Sequence, residues 1–398
     1  MATQSKVKND SAILLELKSN LRQYSIFLIL LVIGLFFSIL THGVFNSARN
    51  ISNLFLQTSA LAIAAIGVSL VLVSGNIDLS IGSVVGLAGA VSSTLMLNAH
   101  WGTIPTILVT LGIGLLIGCW HGFWIAYRGI PSFIVTLAGL LIYRGLVIAI
   151  TKGMTVSPLN ASFKAIGQNY LPSVFSLGRF HGSTIILGVL TSLIYIVLTF
   201  LNYRALKKNN LEPLPILYTI IRSFIFCILI MGVAIVLSIH LGVPYAFLIV
   251  LGLAVIFSFV ASNTILGRHI YAIGGSINAA RLSGINIKKT IFMLYFIMGG
   301  LVSLSGILFT ARINAGTPGA GTYMELDAIA AAIIGGTSLS GGEGSVFGAI
   351  LGALIMTSID NGMSIMNIQI TYQYVVKGLV LLLAVWIDIS TRRKSVEI

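Results

Sequence analysis

Four acidic side chains lie inside or beside strongly apolar segments, where a carboxylate could hold a cation, relay a proton or line a polar pathway. They are Asp78, Glu325, Asp327 and Asp360. A carboxylate at bilayer depth is costly unless it faces water or a partner, so each one is a candidate functional group. The candidate polar path through the apolar segments, drawn from this set and two neighbouring polar side chains, comprises Asp78, Ser80, Glu325, Asp327 and Asn361.

Each carboxylate also has a purely structural interpretation. Asp78 stands just before an apolar segment, where its oxygen would cap backbone N–H groups. Glu325 and Asp327 stand at the start of a short apolar segment, where the helix dipole favours negative charge. Asp360 would open an exposed loop, and solvation alone would account for it. The sequence favours capping for the first three residues and leaves their functional role open.

The composition places the chain among integral membrane proteins. Of its 398 residues, 57% are hydrophobic and only 8% are charged, and the mean hydropathy is +1.03, a balance that no water-exposed surface could carry. Continuous apolar runs of about 20 residues favour helices over a barrel. Apolar segments are predicted at 24–41, 57–74, 81–98, 104–127, 133–151, 184–201, 218–239, 244–262, 290–311, 327–338, 345–361 and 372–388. Because some are short or rich in glycine, we predict an all-α polytopic protein with roughly 10–12 transmembrane or re-entrant helices.

Two glycine-rich stretches resemble each other. The pentapeptide Gly-Ser-Val-Val-Gly that begins at Gly82 is answered by Gly-Ser-Val-Phe-Gly, which begins at Gly344. Glycines four residues apart on a helix let another helix approach closely, so we predict helix packing at both pairs, including Gly86 and Gly348. The similarity of the two stretches predicts a weak internal repeat, a common feature of transport folds.

Basic residues predict the orientation of the chain. They cluster in the N-terminal tail, after the sixth segment, between the eighth and ninth segments and at the C-terminus, and even numbers of spans separate these clusters. All four clusters can therefore lie in the cytoplasm, with both termini inside. We predict cytoplasmic tails at 1–22 and 390–398, a transmembrane domain at 23–389, and outer loops at 42–56, 152–183, 312–326 and 362–371. The net charge of +13 is then explained without a nucleic-acid partner.

The largest predicted inner loop, 263–289, contains a candidate docking element. After a pair of glycines, Ser276 could cap a short helix that runs through Leu282, and Gly284 could end it in the left-handed conformation. A short helix bracketed by glycines on the cytoplasmic face suits protein docking, and the plain alternative is an amphipathic surface turn. Neither a strand nor a glycine-rich phosphate loop precedes Lys288 and Lys289, so nucleotide binding is not predicted.

Several motifs carry a specific resemblance to a known family. They are Ile77-Asp-Leu-Ser-Ile-Gly-Ser83, Pro131-Ser-Phe-Ile-Val-Thr-Leu-Ala-Gly139, Tyr271-Ala-Ile-Gly-Gly275, Ala279-Ala-Arg-Leu-Ser-Gly-Ile285, Glu325-Leu-Asp-Ala-Ile-Ala330 and Asp360-Asn-Gly-Met363. Over about residues 20–396 the chain resembles the membrane permease subunits of bacterial ABC importers for monosaccharides, of the ribose and xylose type. A long basic insert at 204–215 is similar to the xylose branch.

The resemblance implies a transport pore with no catalytic residue, no metal and no bound cofactor. Two copies of the chain would form one pore in the lipid of the bacterial inner membrane. Two ATPase subunits would dock on its cytoplasmic loops, and a periplasmic binding protein would deliver the sugar, with D-xylose favoured. The inner loop would then be the ATPase-coupling loop, carried by Gly274, Gly275, Ala279, Ala280, Arg281 and Gly284.

Two other classes of function compete with an importer permease. A proton- or sodium-coupled secondary transporter of a small polar solute would use Asp78, or Glu325 with Asp327, and would need no ATPase. An intramembrane aspartyl hydrolase is disfavoured because no aspartate lies in the Tyr-Asp or Gly-x-Gly-Asp contexts that such enzymes show. The sequence therefore predicts a permease subunit rather than an enzyme.

Overall fold

The computed structural model describes residues 25–209, 211 and 215–396, and within these ranges the chain is almost entirely helical. The helices are α1 Ser25–Leu40, α2 Ala48–Val73, α3 Ile81–Leu97, α4 Thr103–Gly122, which continues as a π-helical turn at Phe123–Tyr127, α5 Ser132–Thr151, α6 Ala161–Gln168, α7 Gly182–Lys208, α8 Ile216–Ile239, α9 Tyr245–Asn263, α10 Ile265–Gly275, α11 Ile277–Leu282, α12 Ile287–Ile313, α13 Met324–Ile334, α14 Val346–Ile365 and α15 Ile370–Val396. Nine helices in this described part are long and apolar enough to cross a membrane, and α1 and α3 are shorter apolar helices. The prediction of an all-α polytopic protein is confirmed.

The predicted tails are only partly covered by the structure. The N-terminal tail at 1–22 lies outside the described residues, as do positions 210 and 212–214 of the basic insert. The apolar span of α15 ends at Ser390, and the helix continues to Val396. The described positions of the predicted C-terminal tail are therefore a helical continuation of the last span.

The described chain divides into two compact units, and the first contains the described residues of 1–28, 46–53 and 170–244. Its strands, β1 Ser176–Leu177 and β2 Phe180–His181, form an antiparallel hairpin that leads into α7. Helices α7 and α8 approach closely at Gly188, where a Cβ atom would lie 2.6 Å from the Cβ of Ala234. The remaining surface of the pair is apolar and exposed, as expected for helices that face lipid.

The second unit, residues 29–45, 54–169 and 245–398, is built around α12. The Ser305 hydroxyl donates to the carbonyl of Ala60 in α2 at 2.6 Å, and the Ser303 hydroxyl donates to the carbonyl of Thr110 in α4 at 2.7 Å. A Cβ atom added to Gly299 of α12 would overlap the carbonyl oxygen of Gly114 in α4. Helices in lipid associate through such close backbone contacts and hydrogen bonds, because lipid gives no hydrophobic drive between them.

Two helices of this unit follow non-helical backbone that is packed largely, though not entirely, inside the protein. Residues 76–80 precede α3, and residues 314–323 precede α13. The second stretch packs along α3, because a Cβ atom on Gly316 would overlap the Ser93 hydroxyl and one on Gly321 would overlap the Gly82 carbonyl. The range 312–326 is therefore not a free outer loop, since it lies against α3 and contains the first turn of α13. Irregular backbone at membrane depth is tolerated where it is buried in protein or lines a water-filled cavity.

The two similar glycine-rich stretches make close contacts, but these contacts differ from the predicted packing of one helix against another. Gly82 and Gly86 share one face of α3, but the group that approaches Gly86 is the Ala320 carbonyl oxygen, 2.8 Å from a Cβ position. Gly344 precedes Ser345, the N-cap of α14, so it is not a helical residue as predicted, but a Cβ atom there would lie 2.5 Å from Cγ2 of Val73 at the end of α2. Gly348 in the first turn of α14 meets the end of α13, where a Cβ atom would overlap the Gly335 carbonyl.

Replacing Gly348 by alanine tests this close approach. We expect Gly348→Ala to lower stability by about 1–3 kcal/mol because the added methyl group must displace backbone. The matched control is Gly112→Ala, a helical site where a Cβ atom meets nothing within 4 Å. The measurement is the thermal unfolding midpoint in detergent, and equal midpoints for the two variants would contradict the close approach at Gly348.

Candidate functional site

Asp78 is buried at the start of α3, with only 5% of its surface exposed. Its Oδ1 atom accepts a hydrogen bond from the Ser80 backbone N–H at 2.8 Å and another from the Ser80 hydroxyl at 2.7 Å. Asp78 thus bonds the N-cap residue of α3, but no described side chain caps the N–H groups of the first turn of α3, so the predicted helix cap is present only in part. The contact brings two of the candidate path residues together. Each bond needs only an acceptor oxygen on the Asp78 side chain.

Three side chains from α4, α5 and α12 surround this loop and lie within electrostatic reach of the Asp78 carboxylate. The Tyr295 hydroxyl donates to the Ile77 carbonyl at 3.3 Å. The Tyr143 hydroxyl lies 3.1 Å from Nε2 of His121, and the His121 ring packs edge-on against Tyr295. Sequence reasoning missed His121 and Tyr295. The available signal was that His121 is the one histidine within a predicted apolar segment, where a polar side chain is a functional candidate.

Arg144 of α5 holds the non-helical backbone that precedes α13. Its Nη1 atom donates to the Pro318 carbonyl at 3.1 Å and to the Ala320 carbonyl at 2.9 Å. Glu325 follows in the first turn of α13, is 8% exposed, and its carboxylate lies against Gly82 of α3. The structure therefore places this candidate path residue beside the first turn of α3.

Lys377 of α15 joins two carboxylates from two other helices. Its Nζ atom lies 2.8 Å from Oδ2 of Asp327 in α13 and 2.8 Å from Oδ2 of Asp360 in α14. Asp360 lies within α14, so the prediction that it opens a solvated loop is wrong. Asp327 is in the first turn of α13, as predicted, but its charge is balanced by a lysine as well as by the helix dipole. We call Asp327, Asp360 and Lys377 the ion triad.

Asn361, the last candidate path residue, also lies inside α14 and is 6% exposed. Its Nδ2 atom is 3.4 Å from Oε1 of Gln57 in α2. The candidate path residues thus fall into separate places: Asp78 with Ser80 before α3, Glu325 against α3, Asp327 in the ion triad, and Asn361 toward α2. The structure does not gather them into one cluster.

The inner loop folds as two short helices. The Ser276 hydroxyl caps α11 by accepting from the Ala279 N–H at 3.3 Å, and Gly284 follows the helix with φ +80°. Ala280 is buried, whereas Leu282 at the end of α11 is 89% exposed. The short capped helix predicted from the sequence is present, and its tip is an unprotected apolar side chain.

This inner loop is anchored to the end of α2 and to the glycine-rich stretch that precedes α14. A Cβ atom on Gly274 would overlap the carbonyl oxygen of Val73, the last residue of α2, and the same oxygen accepts from the Gly342 N–H at 2.8 Å. The Tyr271 hydroxyl donates to the Gly344 carbonyl at 2.8 Å. Burial raises the pKa of the Tyr271 hydroxyl, so it stays protonated and keeps donating at neutral pH. A cleft of about 440 Å³ opens beside this anchor and is lined by residues that include Asn76, Gly274, Gly275, Ser276 and Lys288.

The described side chains offer hydrogen bonds and charge around Asp78, in the ion triad and at the inner loop. No three His, Cys, Asp or Glu side chains converge as metal ligands within the part of the chain that the structure describes. Cys119 and Cys227 are free thiols. Buried carboxylates, hydroxyls and one imidazole could contact a polar solute that passes through the unit.

Comparison with known proteins relates the whole chain to transport permeases. The family described as the permease component of branched-chain amino acid transport systems matches residues 50–385. The xylose transport system permease protein XylH of Haemophilus influenzae is 44% identical over 382 residues, which are 95% of this chain and 99% of that protein. XylH of Escherichia coli K12 is 44% identical over 94% of each chain. The ribose import permease protein RbsC of E. coli K12 is 33% identical over 86% of this chain and 87% of its own. No solved structure matches this chain.

Removing the shared cation tests the ion triad. We expect Lys377→Met to lower stability by about 3 kcal/mol, because it leaves two carboxylates without their counter-charge in a low-dielectric site. Adding Asp327→Asn and Asp360→Asn to the same chain should restore much of the loss. Thermal unfolding in detergent measures both effects, with Lys207→Met at an exposed position as control. A Lys377→Met protein as stable as the Lys207→Met protein would show that the triad contributes nothing.

Proposed function

The chain belongs to the family of transport-system permease components that matches it across residues 50–385, and from that membership we propose that it is the membrane-spanning subunit of an ATP-driven importer for D-xylose. The observation that carries this proposal is the 44% identity to two xylose permeases along nearly the full length, against 33% to a ribose permease. That difference supports xylose over ribose as the transported sugar.

In this proposal the chain supplies the pathway, and its partners supply energy and selectivity. A separate ATPase subunit hydrolyses ATP, a periplasmic binding protein delivers the sugar, and a second copy of the chain completes the pore. The chain lies in the inner membrane with its four basic clusters and both termini in the cytoplasm, as the distribution of lysine and arginine favours.

The exposed tip of the inner loop supports the docking of an ATPase. Leu282 is 89% exposed and Ile277 is 48% exposed, although both lie on a short helix outside the apolar spans. On a loop proposed to lie in the cytoplasm, two such side chains are accessible to a docking partner and would add to the apolar patch of an interface. Gly274 touches the carbonyl oxygen of Val73 at the end of α2, and the Gly342 N–H donates to the same oxygen. A force applied at α11 therefore reaches the backbone that leads from α2 toward α3.

A charge at the tip of α11 tests the coupling role. We expect Leu282→Asp to abolish the stimulation of ATP hydrolysis by the sugar-loaded binding protein, because the aspartate would be desolvated on docking. The unfolding midpoint should not change, since the side chain contacts solvent. Met154→Asp is the matched control, because Met154 is 64% exposed in a loop outside the helices on the predicted outer side. Normal coupling in the Leu282→Asp protein would remove α11 as the docking element.

The burial of Asp78 favours a second candidate function, a proton-coupled transporter, and uptake measurements separate the two. The assay is labelled xylose uptake into proteoliposomes that contain the chain, its candidate ATPase and its binding protein, with and without ATP and a protonophore. For an importer, uptake requires ATP and survives the protonophore. Asp78→Asn should then transport within about twofold of the unaltered chain, because the amide oxygen still accepts both Ser80 hydrogen bonds. Protonophore-sensitive uptake by the chain alone, abolished by Asp78→Asn, would establish the proton-coupled alternative.

A further inference from the structure

A cleft between α13, α14 and α15 adjoins the ion triad and has not been given a role so far. Its volume is about 180 Å³, and the lining includes Tyr323, Asp327, Met356, Tyr374, Lys377 and Leu381. Two members of the ion triad therefore form part of its wall. The cleft combines aromatic rings, apolar side chains and a few charged atoms, which is the usual make-up of a small-molecule site.

The ion triad decides the charge of the ligand that could enter. Lys377 Nζ is within 2.8 Å of both aspartates, so its single positive charge is already outweighed by two carboxylates. An anion would be repelled by this excess of negative charge, and the position that a cation would take is filled by the ammonium group. A lysine has three N–H donors, and the two aspartates engage two of them. The third donor and the carboxylate oxygen of Asp327 suit a neutral ligand that both donates and accepts, such as a pair of sugar hydroxyls.

Two tyrosine rings form the apolar wall of the cleft. The rings of Tyr323 and Tyr374 meet edge to face, with centroids 5.1 Å apart and an interplanar angle of 75°. They are 48% and 44% exposed, so their faces remain open to a ligand. The negative face of an aromatic ring attracts weakly positive hydrogens, and one side of a pyranose ring presents C–H groups of this kind. The tyrosines are thus suited to hold the carbon face of a sugar whose hydroxyls meet the triad.

The size of the cleft matches one sugar ring. A protein cavity of about 150 Å³ holds a benzene molecule, so about 180 Å³ suits a single six-membered ring with its substituents. The volume agrees with a monosaccharide, which is the cargo class of the proposed function.

The charges also indicate that the cleft opens toward water rather than lipid. The triad side chains of Lys377, Asp327 and Asp360 are 18%, 14% and 30% exposed, in helices that are otherwise apolar. Ionisable groups inside a membrane almost always face the protein interior or a water-filled cavity. Lys377 also lies about 10 Å along α15 from the start of that helix, given a rise of about 1.5 Å per residue. The cleft is therefore set within the span.

We propose that this cleft is a monosaccharide-binding subsite on the translocation pathway, with Tyr323 and Tyr374 as the platform and Asp327 and Lys377 as hydrogen-bonding groups. The proposal rests on the proposed function, because it takes the transported sugar as the ligand. Binding at this subsite is weak, since a transported solute must leave as readily as it enters.

Saturation-transfer NMR on the purified chain in lipid nanodiscs, with D-xylose as the probe and no binding protein or ATPase present, tests the subsite directly. We expect saturation of the xylose ring protons by the unaltered chain and a loss of about fivefold with Tyr374→Leu, which removes the aromatic face. Tyr374→Phe should keep most of the signal because it keeps the ring. Tyr372→Leu is the matched control, since Tyr372 is 62% exposed on the opposite side of α15.

Two results would overturn the subsite. One is equal saturation of xylose by the unaltered chain and the Tyr374→Leu chain. The other is that the unaltered chain transfers no saturation to xylose, ribose or glucose, or that only the signals of bound lipid change. The proteoliposome assay separates this failure from failure of the proposed function. ATP-driven uptake that Tyr374→Leu leaves unchanged would remove the subsite and keep the importer, whereas uptake without any ATP requirement would remove the importer.

Discussion

The structure depends on the constraint that backbone N–H and C=O groups cannot remain unpaired in hydrocarbon. Helices α3 and α13 both follow non-helical backbone, so other side chains must supply the missing partners. The Ile77 N–H donates to the Ser132 hydroxyl at 3.2 Å, and the Ile77 carbonyl accepts from Tyr295. Arg144 satisfies the carbonyls before α13. The polar side chains of Ser132, Arg144 and Tyr295 in α5 and α12 are therefore explained first by these interruptions, and only then by a solute.

The sequence was sufficient to predict the features that depend on residues close together in the chain. Apolar length predicted α5 at 133–151, against Ser132–Thr151 in the structure, and the Ser276 cap with Gly284 beyond it predicted α11. Features that depend on distant partners were missed. Asp360 followed by Asn361 and Gly362 has the composition of a loop, and only Lys377 from another helix shows why the aspartate can stay inside α14. The contact of Gly82 with Gly321 likewise joins segments whose proximity no local pattern encodes.

In the proposed importer, a pore subunit fed by a binding protein has little use for a deep, selective site. The buried groups around Asp78 are mostly committed to the protein itself, since Asp78 bonds Ser80 and Tyr143 lies against His121. The cleft beside the ion triad keeps exposed tyrosine faces and a lysine donor instead. The groups that hold the fold and those available to a passing sugar are thus largely different, which lets the pathway bind weakly without weakening the protein.

The shared anchor of the inner loop has a consequence for how the unit can move. The Val73 carbonyl meets both Gly274 and Gly342, so the inner loop, the end of α2 and the glycine-rich loop before α14 meet at one point. None of these segments can move away alone without breaking a packed backbone contact or a hydrogen bond. A conformational change that separates them must therefore break these contacts together, which makes the motion cooperative rather than gradual.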